Sequence, residues 1–473
     1  MFKLFNRNLF KQCRVVHQRY GATQKLSTRT FHYDQSKYHY LITSVGQNKA
    51  NTTEQLQFLE VLVRTIETER QMMYPQTQQL ATNLLVELQN ETREVPCEVL
   101  QENCRLGLAL LGYSAPIRTE YLRILTIDGG GIRGILVIEM LKKLEELTGK
   151  RIFDLFDFIC GVSTGSIVVC GLTADPLRTL SEGQELYKEV SRKVFHLPGT
   201  LDVLSGTSRL MWTHAYYDVD LWEKLLKQTM TDMRIIDTSR FANVKKFCCV
   251  STTVSDDSLD AHVFRNYVLP WNVESIYHGS HTAALWEVVR CSSAAPTYFG
   301  DFILNNQVHQ DGGVLYNNPS CVAIHEAKLL WPNQKLCLVS LGTGRSPNKR
   351  KMDSQKLYTQ KQMQSLFKDT AIQTSSWKTK FLRILDAATD TEQTHHILSD
   401  LMEPGTYFRF NPYLTNMVSM TECNKDKLAQ LEKDALMYYR RNEQKFEELA
   451  EMLLKPRTGL TAINDFLFNK IGY

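Results

Sequence analysis

The stretch Gly161-Val162-Ser163-Thr164-Gly165 constrains the fold of this chain more than any other. It is a G-x-S-x-G set between an apolar run at 156–160 and an apolar segment at 166–172. The first reads as a buried strand and the second as a helix, so the motif falls on a strand–turn–helix junction. A turn that tight admits only small residues at its flanks, and it lifts the serine hydroxyl out at the edge of the sheet. The helix that follows aims N–H groups and the positive end of its dipole at negative charge developing beside the serine. Further strand-like runs at 121–127, 246–254 and 335–340 alternate with helical patterns, the clearest at 135–147. Such alternation predicts an α/β fold with a mostly parallel central sheet.

Two other glycine-rich stretches bear on the same chemistry. Asp128-Gly129-Gly130-Gly131-Ile132-Arg133-Gly134 follows a strand and opens a helix. Three residues without side chains expose a row of backbone N–H groups, which can hold a negative oxygen. The same residues also spell G-x-G-x-x-G, the dinucleotide fingerprint, so a nucleotide-binding protein using the 129–134 loop is the rival from another class. That rival expects an acid at the end of the next strand, where this chain runs through Cys160-Gly161 into the serine turn. The third stretch, Asp311-Gly312-Gly313, follows His309-Gln310. A carboxylate beside two glycines can approach another loop without a side-chain clash, although an isolated Asp-Gly-Gly is equally an ordinary β-turn.

Taken in order, the three stretches resemble the glycine-rich loop, serine elbow and Asp-Gly-Gly/Ala loop of the patatin-like phospholipases. Within that family the chain is most similar to the gamma type of calcium-independent phospholipase A2. The closer resemblance rests on Phe158-Ile159-Cys160 leading into the elbow, Phe264-Arg265-Asn266-Tyr267, Ser292-Ser293-Ala294-Ala295-Pro296 and Ser340-Leu341-Gly342-Thr343-Gly344. It covers residues 120–345, about half of the chain. The resemblance implies a three-layer α/β/α sandwich and a Ser–Asp dyad. Ser163 would attack a fatty-acyl ester of a glycerophospholipid to form an acyl-enzyme, and Asp311 would take its proton directly. The amides of Gly129, Gly130 and Gly131, with Thr164, would form the oxyanion hole. Arg133 would orient the loop or meet the lipid phosphate, or else serve as a structural ion-pair partner. A Ser–His–Asp triad drawing on His309 or on His395-His396 competes with the dyad. A neutral-lipid or lysophospholipid hydrolase is the rival within the same chemistry. No cofactor is implied. Neither an H-E-x-x-H nor an Asp-rich calcium loop occurs, so no metal site is expected, and the resemblance implies calcium independence.

The remaining chain divides by texture into 1–33, 34–115 and 346–473 around the 120–345 core. Residues 1–33 carry seven Lys or Arg and no Asp or Glu, so the net charge of +4 leaves the rest of the chain at −3. That distribution excludes a generally basic, nucleic-acid-binding protein. At helical spacing Lys3, Arg7, Lys11 and Arg14 fall on one side, and Phe2, Phe5, Leu9 and Val16 largely on another, as in a mitochondrial targeting segment. Residues 34–50 read as a linker. Three helices follow over 53–111, with stripes at Leu56, Leu59, Val63 and Ile66, at Leu80, Leu84 and Leu88, and at Leu100, Cys104, Leu108 and Leu111. Pro96 stands near the first turn of the third, and the three form an N-terminal helical layer. Beyond the core come a basic loop at 345–361, an amphipathic segment with Trp377, Phe381 and Leu385, and a long helix near 425–454. The basic loop and the amphipathic segment are candidates for contact with a phospholipid membrane surface. No apolar run is long enough for a transmembrane helix, so the expectation is a peripheral protein of mitochondrial membranes. The sequence points to no particular protein partner. Eleven cysteines without a C-x-x-C pair read as free thiols in a reducing compartment.

Overall fold

The computed structural model describes residues 34–48, 52–91, 97–195, 217–345 and 390–457, apart from positions 256, 297 and 417. The targeting segment at 1–33, Pro96, the basic loop beyond Arg345 and the amphipathic segment around Trp377 lie outside the described residues. The chain forms two compact units, Met1–Leu111 and Gly112–Tyr473.

The first unit is helical: α1 (Ser36–Gln47), α2 (Thr52–Glu69), α3 (Pro75–Asn90) and α4 (Glu98–Leu110). Helix α1 occupies the stretch expected to be a linker. Its Tyr38, Leu41 and Val45 are buried at helical spacing, a stripe diluted in the sequence by Lys37, His39 and Tyr40. In α2 the buried row runs through Leu59, Val63 and Ile66, as the pattern predicts. In α3 it runs through Ala81, Leu85 and Leu88, while Leu80 is exposed. The cause is Gly107 of α4, where an added Cβ would stand 2.8 Å from Leu85 and 3.2 Å from Val63. That close approach draws the Leu85 row inward.

The second unit is built on one nine-stranded sheet. Its strands are β1 (Leu122–Ile127), β2 (Phe158–Val162), β3 (Lys246–Val254), β4 (Leu259–Arg265), β5 (His278–Ser280), β6 (Phe302–Leu304), β7 (Gln307–Asp311), β8 (Leu336–Leu341) and β9 (Tyr407–Phe410). They lie in the order β5-β4-β3-β2-β1-β8-β9, with β7 on β3 and β6 on β7. From β3 through β9 the neighbours along that order are parallel, and β3 meets β4 and β7 antiparallel. The sheet therefore runs on past residue 345 to take in β9.

Among the described residues the α-helices longer than four residues are α5 (Gly134–Thr148), α6 (Thr164–Ala174), α7 (Leu180–Phe195), α8 (Val219–Met230), α9 (Leu285–Ser292), α10 (Ser320–Leu330), α11 (Glu392–Leu401), α12 (Lys425–Arg441) and α13 (Glu443–Leu454). Alternate strand residues feed two cores. Ile124, Phe158, Cys160 and Val162 join Val322, Ala323 and Ala327 of α10 and Leu398 of α11. Leu125, Ile127 and Ile159 join α5, α6, α8, α9, α12 and α13. A sheet covered on both faces in this way is the expected α/β/α sandwich. The long helix expected at 425–454 is broken at Asn442 into α12 and α13, and the bend seats Phe446 against Phe410 with ring centroids 4.3 Å apart. Among the described residues no helix is long and apolar enough to cross a membrane.

Candidate active site

Sheet register brings the serine turn and the Asp-Gly-Gly stretch together. Strand β3 pairs with β2 only as far as Val250↔Val162. From Ser251 onward the same edge pairs with β7, and Asp311 lies opposite Ser251. The end of β7 therefore abuts the end of β2, where Ser163 begins the turn into α6. Ser163 has φ 51° and ψ −115°, a left-handed conformation that a residue with a side chain seldom adopts. The turn tolerates nothing larger than glycine at its flanks. A Cβ on Gly161 would stand 2.5 Å from the Gly165 carbonyl, and one on Gly165 2.3 Å from the carbonyl of Ile127.

In this geometry the Ser163 hydroxyl donates to Asp311 Oδ2 at 2.6 Å. The other carboxylate oxygen accepts the Gly313 N–H at 2.7 Å, and the Asp311 N–H donates to the Ala294 carbonyl at 2.9 Å. Gly312 is squeezed against β3, with 2.2 Å between a hypothetical Cβ and the Val250 carbonyl. Burial pushes the Asp311 carboxyl up to about 6, against the opposing pull of the Ser163 hydroxyl and the Gly313 amide. Ser292 supports the strained turn: its Oγ accepts the Ser163 N–H at 2.9 Å and donates to the Val250 carbonyl at 2.6 Å. The sequence flags Ser292 only as part of a resemblance, with no role attached. Its signal is the run of small residues from Ser292 to Ala295 ahead of Pro296.

The glycine loop passes beside the serine. The Gly129 N–H donates to the Asn317 carbonyl at 3.2 Å, so this amide is already engaged within the protein. The N–H groups of Gly130 and Gly131 have no acceptor among the described residues, and both glycines line the same cavity as Ser163, Thr164 and Asp311. A Cβ on Gly130 would lie 2.0 Å from Thr343 Oγ1, whose hydroxyl donates to the Gly129 carbonyl at 2.7 Å. Gly131, at φ +57°, has its carbonyl held by Tyr187 at 2.6 Å and by Thr164 at 2.9 Å. At the head of the loop the buried Asp128 accepts from Arg409 at 2.6 Å. The sequence flags Thr343 only within a resemblance, with no role attached, and Arg409 and Asn317 act from segments where no local pattern points to this site.

The cavity, of about 360 Å³, runs from Ser163 between α6, α7 and α8. Its far part is apolar, with Ile167, Val168, Leu180, Val190, Leu226 and Met230 among its walls. Arg133 also lines it; the guanidinium Nε donates to the Gly130 carbonyl at 3.3 Å, and no carboxylate pairs with it among the described residues. Burial lowers its pKa, so it is a desolvated cation without a counter-charge.

The histidines lie elsewhere. His309 is buried, hydrogen-bonded through Nδ1 to Ser251 Oγ at 2.9 Å, and held neutral by burial, which lowers its pKa to about 4. His395 lies 3.2 Å from the Tyr407 hydroxyl, and His396 stacks on it. Among the described residues no histidine lines the Ser163 cavity. Among the described residues no group of His, Cys, Asp and Glu is arranged to hold a metal ion.

The family model described as patatin-like phospholipase matches residues 125–324. The chain is 42% identical over 379 residues to the calcium-independent phospholipase A2-gamma of Homo sapiens, a match covering 79% of this chain and 45% of that protein. It is 30% identical to phospholipase A I of Arabidopsis thaliana, covering 76% of this chain and 30% of that one. The 85/88 kDa calcium-independent phospholipase A2 of Mus musculus is 27% identical, with 70% of this chain and 40% of that one covered. The chain spans about half the length, or less, of these curated relatives.

Proposed function

Because residues 125–324 of this chain belong to the patatin-like phospholipase family, we propose that it hydrolyses fatty-acyl esters of glycerophospholipids without calcium. The reading rests above all on the 2.6 Å hydrogen bond from Ser163 to Asp311 at a strained strand–helix turn. In the proposed reaction the Ser163 oxygen attacks the ester carbonyl while its proton passes to Asp311. The tetrahedral oxyanion accepts from the amides of Gly130 and Gly131 and from that of Thr164 at the start of α6. Gly129 shapes the loop and contributes no free amide. Collapse expels the lysophospholipid alcohol, which takes the proton from Asp311, and the acyl chain stays on Ser163. Water then attacks the acyl-enzyme, with Asp311 as its base.

The apolar arm of the cavity suits an acyl chain, and the unpaired Arg133 suits the phosphate of the same lipid. That cation favours a phospholipid over a neutral lipid, which carries no charge to meet it. For residues 1–33 we propose mitochondrial targeting, on their basic, acid-free, amphipathic character; a fluorescent reporter fused to them should enter mitochondria, and a diffuse cytosolic signal would refute this. Peripheral contact with a phospholipid surface follows from the substrate.

The direct test is mass spectrometry of the products from defined mixed-chain phospholipid vesicles, with and without a calcium chelator. Release of free fatty acid that survives chelation and vanishes in Ser163→Ala supports the reading. No release from phospholipid, or activity confined to triacylglycerol or lysophospholipid, overturns it.

A further inference from the structure

A second cavity, of about 380 Å³, opens where the carboxyl ends of β8 and β9 meet α11, α12 and α13, and it shares no lining residue with the cavity around Ser163. Four basic side chains line it: Arg345, Arg409, Arg441 and Lys445. Two carboxylates, Glu392 and Asp434, line it as well, and Asp128 reaches Arg409 from outside. The hydrogen bonds leave these charges unevenly matched. Asp434 is committed to the Thr415 amide and hydroxyl and to Gln430. Glu392 takes Arg345 and Asn411, each at 2.9 Å, and lies 3.6 Å from Arg409.

Lys445 and Arg441 have no carboxylate partner among the described residues. The Lys445 ammonium donates to the Arg409 carbonyl at 2.7 Å and sits 4.9 Å from the Phe410 ring. The Nε atoms of Arg345 and Arg409 are buried with no hydrogen-bond acceptor among the described residues. Partly desolvated cations and orphaned guanidinium donors around one cavity cost stability as they stand. A water molecule would satisfy the donors but not the charge.

We propose that this cavity binds a phosphate group, free or carried on a lipid headgroup, through Lys445, Arg441 and the guanidinium of Arg345, with the buried charge of Arg409 behind them. The several oxygens of a phosphate can meet donors from three residues at once, which suits such a site better than the two oxygens of a carboxylate. The site also communicates with the glycine loop. Arg409 holds Asp128 at 2.6 Å, and Asn411 Oδ1 accepts the Gly344 amide at 2.9 Å, next to the Thr343 that braces Gly129.

The test is calorimetric titration of the full-length protein with inorganic phosphate, beside a flotation assay with vesicles of phosphatidylcholine alone or with phosphatidic acid. Saturable binding of one phosphate, weakened roughly 10–100-fold in Lys445→Met, supports the proposal. Arg441→Gln, an exposed change that leaves the fold intact, should weaken it in the same direction. Binding only to phosphatidic acid vesicles, with the same variant pattern, supports the site and identifies the source as a lipid headgroup. Absence of saturable binding to either, or equal binding by wild type, Lys445→Met and Arg441→Gln, overturns it.

Discussion

A carboxylate removed from water resists ionisation, and Asp311 accordingly titrates at about 6. It accepts a proton only when ionised, so its charged form is the working one. The kcat/KM of this chain should therefore fall about tenfold per pH unit below 6 and level off above it. A pH–rate profile checks this, and a plateau continuing down to pH 4 would contradict it, since Asp311 would then be ionised throughout. Ser292 tests the support beneath the nucleophile. Its replacement by alanine leaves the Ser163 N–H without its acceptor, at a cost of about 1–3 kcal/mol. Ser292→Ala should lower the thermal midpoint by several degrees and slow the enzyme, because the strained φ at Ser163 loses its anchor. Wild-type melting and wild-type rate together would show that the turn holds itself.

At the scale of elements, the sheet is tied to the outer layer by a polar knot whose role no local pattern announces. Arg265 on β4 makes a two-pronged ion pair with Glu326 of α10, both contacts at 2.7 Å. The fully buried Glu326 also accepts from Tyr267 at 2.8 Å and from Ser275 at 2.6 Å. Removing one member of a buried pair strands the other, and Glu326→Ala should cost about 3–5 kcal/mol. Denaturant melts read the loss directly; a change below about 1 kcal/mol would mean that water reaches Arg265. The elements legible in the sequence were those with apolar runs or stripes: β1, β2, β3 and β8, the helices that follow the first two, and the striped helices α2, α3, α4, α12 and α13. Strand β7, Gln307–Asp311, has a single apolar residue and owes its existence to pairing with β3. Strand β9 has four residues and β5 and β6 three each, too short for a period to register. Helix α1 hides its three buried apolar residues among charged and aromatic neighbours.

Across the whole molecule, Asp128, Ser163 and Asp311 are far apart in the chain, and the sheet closes the distances between them. The serine turn and the glycine loop were readable because steric need restricts residue type there: Gly161, Gly165 and Gly130 each abut atoms that a Cβ would strike. The bracing contacts of Ser292, Asn317, Thr343 and Arg409 were not readable, since a hydrogen bond between distant segments imposes no local pattern. Nor could spacing decide between dyad and triad. His309 lies only two residues from Asp311, yet its ring is bonded to Ser251 and lines no part of the cavity. Labelling of the protein by a fluorophosphonate serine probe separates the two schemes most directly, in wild type, Asp311→Asn and His309→Ala. A direct dyad predicts that Asp311→Asn slows labelling by about 10²–10⁴-fold while His309→Ala stays within a few-fold of wild type. Labelling abolished in His309→Ala with its fold intact, and preserved in Asp311→Asn, would contradict it.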